Sequence, residues 1–566
     1  MMTSLKNKPF YLNDEDVDWV EETLSNLTID EKIGQLFCLI AYSSDEQYLA
    51  YLANVLKIGG IMCRVMPNEE IVKTVSFLQN NSKIPMLISA NLEAGGNGVS
   101  TSGTKLGAEL AIAATNNPKY ASILGDICGK EGKACGVNWS FAPIVDIDLN
   151  FRNPITNTRT FGSDKNVVKA CGVNYINSLQ KYGLAGCAKH FPGDGVDERD
   201  QHLVTSINSL TTEEWDNSYG EIYKGCIDAG VKTVMVGHIM LPHYSKLLNP
   251  SLKDEDILPA TISKEIVTGL LKEKLGFNGL VITDSTTMAG LNIAMERRKL
   301  VPLTIAAGCD MFLFTKNLEE DFSFMKKGYE EGIITDERLN DAVRKVLALK
   351  ASLKLHKNRM IPTLENINEA VGNLENKKVS YEVADQSITL VKNIQNVLPI
   401  SPSKYKRVLF YAIESGEGQM GFSVDVSANN HFMSKLKEKG FEVTKFVPKP
   451  GFEGMMASSE EIKNNYDLII YSANMATKSN QTVVRIEWAQ PMGANVPTYI
   501  NSVPTIFISL ENPYHLLDVP RVKTYINTYG STDIILDKLI EKLMGDSNFK
   551  GVSPVDAYCG KWDTRL

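Results

Sequence analysis

Between residue 18 and about residue 350, short apolar runs rich in β-branched residues alternate with stretches whose apolar positions recur at helical spacing. The runs are Gly34–Ala41, Gly59–Cys63, Pro85–Leu92, Trp139–Ile147, Leu184–His190, Thr233–Met240, Gly279–Thr283 and Cys309–Thr315, with helix-like stretches such as Asn68–Asn80 and Thr211–Ala229 between them. Nearly continuous apolar strands separated by helices predict a parallel sheet covered on both faces. Eight such units in succession fit a closed (β/α)8 TIM barrel better than an open doubly wound sheet. The predicted fold class is therefore α/β.

A polar bridge rich in Asn, Lys and Glu (Lys354–Lys378) precedes a second α/β pattern. Its strands are predicted at Arg407–Ala412, Glu442–Phe446, Asp467–Ser472, Thr505–Leu510 and Tyr525–Tyr529, with helices at Asn430–Lys439 and Asp533–Met544. Five strands with interleaved helices predict a smaller, flavodoxin-like open sheet. The expected division is a barrel domain over 1–353, a linker over 354–384 and a C-terminal α/β domain over 385–566. Gly416, Gly418 and Gly421 have the spacing of a dinucleotide fingerprint after a strand. That fingerprint should open a helix, whereas Phe-Ser-Val-Asp-Val-Ser follows here, so the stretch reads as a mobile loop.

Composition narrows the classes. The 566 residues exceed one core, and 43% hydrophobic with 22% charged residues is ordinary for a soluble globular chain. A net charge of -8 argues against a nucleic-acid partner. Nine cysteines, mostly among apolar neighbours and without a CxxC pair, read as buried thiols in a reducing compartment. No apolar run reaches the length of a membrane span and no signal-like segment opens the chain, so a cytoplasmic protein with no membrane partner is expected.

Reactive groups of such a barrel sit where its strands end. The third strand ends on Asn91-Leu-Glu93, the fourth on Asp146-Ile-Asp148, the fifth on Lys189-His190, the sixth carries His238, and the seventh ends on Thr283-Asp284-Ser285. Polar residues converging on one rim from five of eight strands exceed what solvation requires. Four of the seven histidines lie at 190, 202, 238 and 243, but no tight metal-ligand spacing accompanies them and Lys189 would set a cation against a metal. No metal and no cofactor is expected. The spacing of Asp200 and His202 permits an Asp–His hydrogen bond that would suit an acid/base, while an Asx-type turn with an exposed histidine is the plainer alternative. Asp284 ends a buried strand, a costly position for a carboxylate unless it is paired or useful, and capping of a following helix is the alternative.

These motifs resemble glycoside hydrolase family 3, in its β-N-acetylglucosaminidase branch. Lys189-His-Phe-Pro-Gly-Asp-Gly195 followed by Asp200-Gln-His202 is similar to that branch's catalytic loop, and Thr283-Asp-Ser-Thr-Thr-Met288 to the family's nucleophile motif. Phe141–Asp146, Asn157–Asp164 and Ala384–Ile400 resemble further family blocks, so nearly the whole chain is covered. The resemblance implies Asp284 as nucleophile, His202 as acid/base and Asp200 as its partner. It also implies that Lys189, His190 and Arg159 bind sugar, and Asn91, Glu93, Asp146, His238 and Met288 join them as candidate substrate-binding residues. Three features depart from the family pattern, one being an amide at Asn91 where the family usually binds sugar hydroxyls with a carboxylate. The Asp-Gln-Glu-Gly-Gly-Arg block has become Asn91-Leu-Glu-Ala-Gly-Gly-Asn97, and Asp194 replaces a histidine.

The activity this implies is exo-acting, retaining hydrolysis of terminal β-linked N-acetylglucosamine, with oligosaccharides or cell-wall fragments as partners in cell-wall recycling. A β-glucosidase of the same family, a phosphorylase using phosphate as acceptor, and a non-catalytic sugar-binding protein are the alternatives.

Overall fold

The structure is a computed structural model and describes residues 4–414, 426–449, 453–456, 458–477, 479–480, 485–488 and 490–566. The Gly416–Gly421 motif lies outside the described residues. The chain forms two compact units, one of Met1–Lys105, Ala121–Thr156 and Asp164–Lys377, the other of Leu106–Tyr120, Asn157–Ser163 and Lys378–Leu566.

Each of the eight apolar runs of the first unit holds a strand of the ladder: β1 (Phe37–Ile40), β2 (Gly60–Met62), β3 (Leu87–Ala90), β4 (Trp139–Ser140), β5 (Cys187–Phe191), β6 (Thr233–Val236), β7 (Leu280–Thr283) and β8 (Phe312–Leu313), while the end of the sixth run, Ile239–Met240, pairs separately with Ser206–Ile207. Every pairing among them is parallel. A five-stranded sheet runs β8-β1-β2-β3-β4 and a three-stranded sheet β5-β6-β7. Isolated bridges link Trp139 to Ala185 and Ile144 to Lys189 between the fourth and fifth runs, and Ile282 to Met311 between the seventh and eighth. Followed in turn, these pairings lead from β8 back to β8. Strands β3, β5, β6 and β7 are buried along their whole length, which accounts for their mostly apolar sequence, Lys189 and His190 of β5 being the main exceptions.

The second unit holds a six-stranded sheet. Its strands are β9 (Thr389–Asn393), β10 (Arg407–Glu414), β11 (Glu442–Lys445), β12 (Leu468–Asn474), β13 (Thr505–Ser509) and β14 (Thr524–Asn527). The spatial order is β9-β14-β13-β12-β10-β11. Taken in chain order, the five parallel strands follow the 2-1-3-4-5 arrangement of a flavodoxin-like sheet. The sixth strand, β9, was not expected. It lies antiparallel to β14. Alternate residues face two cores: Val408, Phe410, Ile470 and Ile508 pack with Phe432 and Leu539, while Leu409, Tyr411, Ile469 and Phe507 face the other side.

The stretch 354–384 differs from the expected linker, because most of it is helical (Leu364–Ala370 and Leu374–Ser387). Thr363 caps the first helix through Asn366 N–H, and Ile367 is fully buried. Few apolar anchors among many polar residues hid these helices from a periodicity reading.

Candidate active site

The site grows from the register of β4 against β5. Val145 N–H donates to Lys189 C=O at 2.8 Å, which sets Asp146 beside His190. Asp146 accepts from the His190 backbone N–H at 3.1 Å and lies 2.7 Å from His190 Nδ1. A carboxylate accepts hydrogen bonds, so Nδ1 carries hydrogen and Nε2 is left for other work. That Nε2 lies 3.9 Å from Asp284 Oδ2. Beside it, the buried Lys189 Nζ donates to Glu93 Oε1 at 2.8 Å.

Asp284 follows β7. Its N–H donates to Val236 C=O at 2.8 Å, and its Oδ1 accepts from Ser285 N–H at 2.7 Å. Among the described residues, Oδ2 is buried with no hydrogen-bond partner. Burial opposes ionisation of this carboxyl, but His190, then His238 and His202, outweigh it and hold the group below the ordinary carboxylate range. The next helix, Ala289–Asn292, has Met288 as its N-cap, so helix capping does not explain Asp284.

The loop after β5 carries Asp200 and His202. His202 N–H donates to Asp200 Oδ1 at 2.8 Å, the Asx-type turn foreseen as the plainer alternative. The imidazole pairs with the same oxygen as well, with Nδ1 at 2.7 Å. Both readings hold together. Asp200 is buried, whereas the His202 side chain keeps 21% of its exposure, and among the described residues its Nε2 has no hydrogen-bond partner. The loop is tied to the segment after β7, since Ala289 N–H donates to His202 C=O at 2.9 Å and Thr205 Oγ1 donates to Gly290 C=O at 2.6 Å. Those bonds bring the chain bearing the imidazole against the chain bearing Asp284.

His238 is fully buried. Its Nε2 donates to Ser285 C=O at 2.9 Å, its Nδ1 lies 2.8 Å from Thr261 Oγ1, and burial pushes its pKa down. Met288 is buried nearby in sequence to Asp284, and Asn91 is exposed after β3 with no side-chain hydrogen bond among the described residues. Arg159 ends the short helix Asn157–Arg159 and groups with the second unit, while the other ten predicted site residues belong to the first. Sequence reasoning passed over Asp194 and Gln201 as site residues. Both are buried, and Asp194, pushed up to about 6 by burial and then by Asp146, is held by Asn153, Gly195 and Gln201. The signal was the density of charged residues in a loop next to a strand. Among the described residues, no group of three His, Cys, Asp or Glu side chains is arranged to hold a metal ion.

Comparison with known proteins bears on the same residues. The family description "Glycosyl hydrolase family 3 N terminal domain" matches residues 28–349, a span that includes every catalytic candidate. The chain belongs to glycosyl hydrolase family 3. Within this family it is 52% identical over 565 residues, covering 100% of both chains, to a Cellulomonas fimi protein named beta-N-acetylglucosaminidase/beta-glucosidase. A solved structure of a beta-glucoside phosphorylase, BglX, bound to 2FGlc superposes with a TM-score of 0.93 at 41% identity, covering 98% of this chain and 99% of that one. A family 3 beta-N-acetylglucosaminidase from Paenibacillus sp. str. FPU-7 shares the fold, with a TM-score of 0.79 at 22% identity over 94% of this chain and 100% of that one.

Proposed function

We propose that this family 3 chain is a retaining β-glycosidase that removes terminal β-linked N-acetylglucosamine, and glucose as well, with Asp284 as nucleophile and His202 as acid/base. The carrying observation is the pairing of two oppositely prepared groups. Histidines around Asp284 hold its carboxyl below the ordinary range, a buried carboxylate orients His202, and among the described residues Asp284 Oδ2 and His202 Nε2 have no hydrogen-bond partner. The ring of eight parallel strands is read as the (β/α)8 barrel whose strand ends carry these groups.

In the first step Asp284 Oδ2 attacks the anomeric carbon, and His202 gives its Nε2 proton to the departing oxygen. In the second, His202 takes a proton from water, which attacks the same carbon and expels Asp284 with retention. Asp200 holds the imidazole tautomer between the steps, and stabilises the cationic form that stands before the first step and after the second. Lys189 and His190 bind sugar hydroxyls, Asn91, Glu93 and Met288 complete that grip, and Asp146 and His238, whose polar atoms are engaged within the protein, support it.

Phosphorolysis is the second reading. An imidazole base, unlike a carboxylate, does not repel an anionic acceptor, and the 41% identical structure is named a phosphorylase. Cell-wall-derived β-N-acetylglucosaminides are the first natural substrates to try. The test is turnover of nitrophenyl N-acetylglucosaminide and glucoside, each in phosphate and in a neutral buffer, with peptide mapping after inactivation by a fluorosugar. Label on Asp284 is expected. Sugar 1-phosphate as the main product in phosphate would replace hydrolysis with phosphorolysis, and label on another residue would refute the nucleophile assignment.

A further inference from the structure

We propose that Asp194 is a positioning residue that locks the Gln201 amide one way round and thereby seats the acid/base loop against His238 and the Asp284 segment. This rests on the catalytic roles proposed for His202 and Asp284, and concerns a position outside both.

Asp194 is 2% exposed and Gln201 fully buried. Asp194 Oδ1 accepts from Gly195 N–H at 2.7 Å and Asn153 Nδ2 at 2.9 Å, and Oδ2 accepts from Gln201 Nε2 at 3.2 Å. The other end of that amide, Oε1, accepts from His238 N–H at 2.8 Å. A backbone N–H only donates and an ionised carboxylate only accepts, so the amide has one orientation that satisfies both neighbours. Reversing it would set donor against donor at His238 and acceptor against acceptor at Asp194. From His238 the path continues through Nε2 to Ser285 C=O, whose own N–H holds Asp284 Oδ1.

Gln201 stands between Asp200 and His202 in the chain. Its carbonyl oxygen lies so close to Gly290 that a Cβ there would come within 2.2 Å of it. A residue gripped at both ends of its side chain, with its backbone wedged on the Asp284 segment, fixes where the neighbouring imidazole can be. Asp194 supplies the end of the chain that cannot reverse. Its N–H also donates to Asp146 Oδ1 at 2.8 Å, so the same residue touches the carboxylate that orients His190.

The polarity argument makes a swap test possible. Asp194→Asn turns its amide NH2 toward the Gln201 NH2 or loses the Gly195 and Asn153 bonds, and Gln201→Glu opposes two carboxylates. The pair Asp194→Asn with Gln201→Glu restores donor to acceptor at both contacts. On the nitrophenyl glycoside that wild type turns over fastest, each single variant is expected to lower kcat about 10- to 100-fold with KM changed less than about threefold. The double variant is expected to return kcat to within about fivefold of wild type. Gln201→Met, which removes both hydrogen bonds without adding charge, guards against a single variant that does not fold, and its kcat is expected to fall similarly. Wild-type kcat in Gln201→Met, or a double variant no better than the worse single, would overturn the proposal. Wild-type rates in His202→Ala or Asp284→Asn would instead defeat the catalytic assignment, whatever the swap gives.

Discussion

At the scale of single residues, two carboxyl–histidine pairs share one feature and diverge in use. Asp146 takes His190 Nδ1 at 2.7 Å and Asp200 takes His202 Nδ1 at 2.7 Å, so each imidazole presents Nε2. His190 is buried, and its Nε2 faces Asp284. His202 retains exposure and is the one suited to exchange protons with a leaving group and an acceptor. Asp284→Asn removes the oxygen proposed to attack while keeping the size of the side chain, and His202→Ala removes the proposed proton carrier. Each is expected to lower kcat at least ~100-fold, the scale of one acid–base or nucleophilic group. A steady-state assay on a nitrophenyl glycoside with full melting curves would check that the loss is chemical. A further distinction follows for His202→Ala, because an activated leaving group such as dinitrophenolate does not need protonation. The first step is expected to recover on that substrate while Asp284→Asn stays inactive, and equal deficits on both substrates would contradict the division of roles.

At the scale of elements, the loop between Phe191 and Ser206 decides where the imidazole sits, and its glycines decide whether it forms. Gly195 has φ of +102°, and a Cβ added there would lie 1.9 Å from Ile147 C=O. The close approach is used, because Asn150 N–H donates to Gly195 C=O at 2.9 Å and Tyr219 OH donates to Asp194 C=O at 2.5 Å. Gly195→Ala is expected to cost about 1–3 kcal/mol in denaturant unfolding and to lower kcat with it. Unchanged stability and activity would mean that the loop holds the imidazole by other contacts. This element also marks the limit of what the sequence made legible. Most strands could be read because each is a buried apolar run, the exposed edge strand β11 being an exception, and Asp284, Asp146 and His190 were found because they stand at the ends of such runs. The Asp200–His202 pairing was foreseen as possible from spacing. The Lys189–Glu93 ion pair and the Asp194–Gln201–His238 chain were not, because residues 96 and 37 positions apart meet only once β3, β5 and β6 are in register. The antiparallel β9 escaped for a different reason: Thr389–Asn393 has only Leu390 and Val391 as apolar residues, does not alternate, and pairs with β14 through a register shift between Leu390 and Lys392.

At the scale of the whole molecule, the sequence disclosed two α/β patterns but not that Leu106–Tyr120 and Asn157–Ser163 group with the C-terminal chain, since contacts and not chain order define a unit. Stability of the first unit depends on a buried charge cluster that chain order also conceals. Asp310, fully buried just before β8, accepts from Val281 N–H at 2.8 Å, pairs with Lys272 at 3.1 Å and with Arg338, and has Lys345 at 3.8 Å. One carboxylate thereby joins β7, the helical segment Glu265–Lys274 and the helix Asp336–Ser352. Burial opposes its ionisation, but Lys272, Lys345 and Arg338 prevail and bring its pKa down to about 2. Asp310→Asn keeps an acceptor for Val281 and removes the counter-charge of Lys345 and of Lys272, whose pKa burial already pushes down to about 7, while Arg338 keeps Asp341 at 2.7 Å. The expected loss is about 3–5 kcal/mol at neutral pH, the range for breaking a buried pair from one side. Because the carboxyl is more acidic folded than unfolded, its contribution is complete above the ordinary carboxylate pKa and disappears as pH falls toward about 2. Denaturant unfolding of wild type and variant at pH 7 and again near pH 3 would therefore give a wide separation at the first and a narrower one at the second. Equal separations at the two pH values would mean that Asp310 acts through shape and hydrogen bonding, and that its charge contributes nothing to holding these elements together.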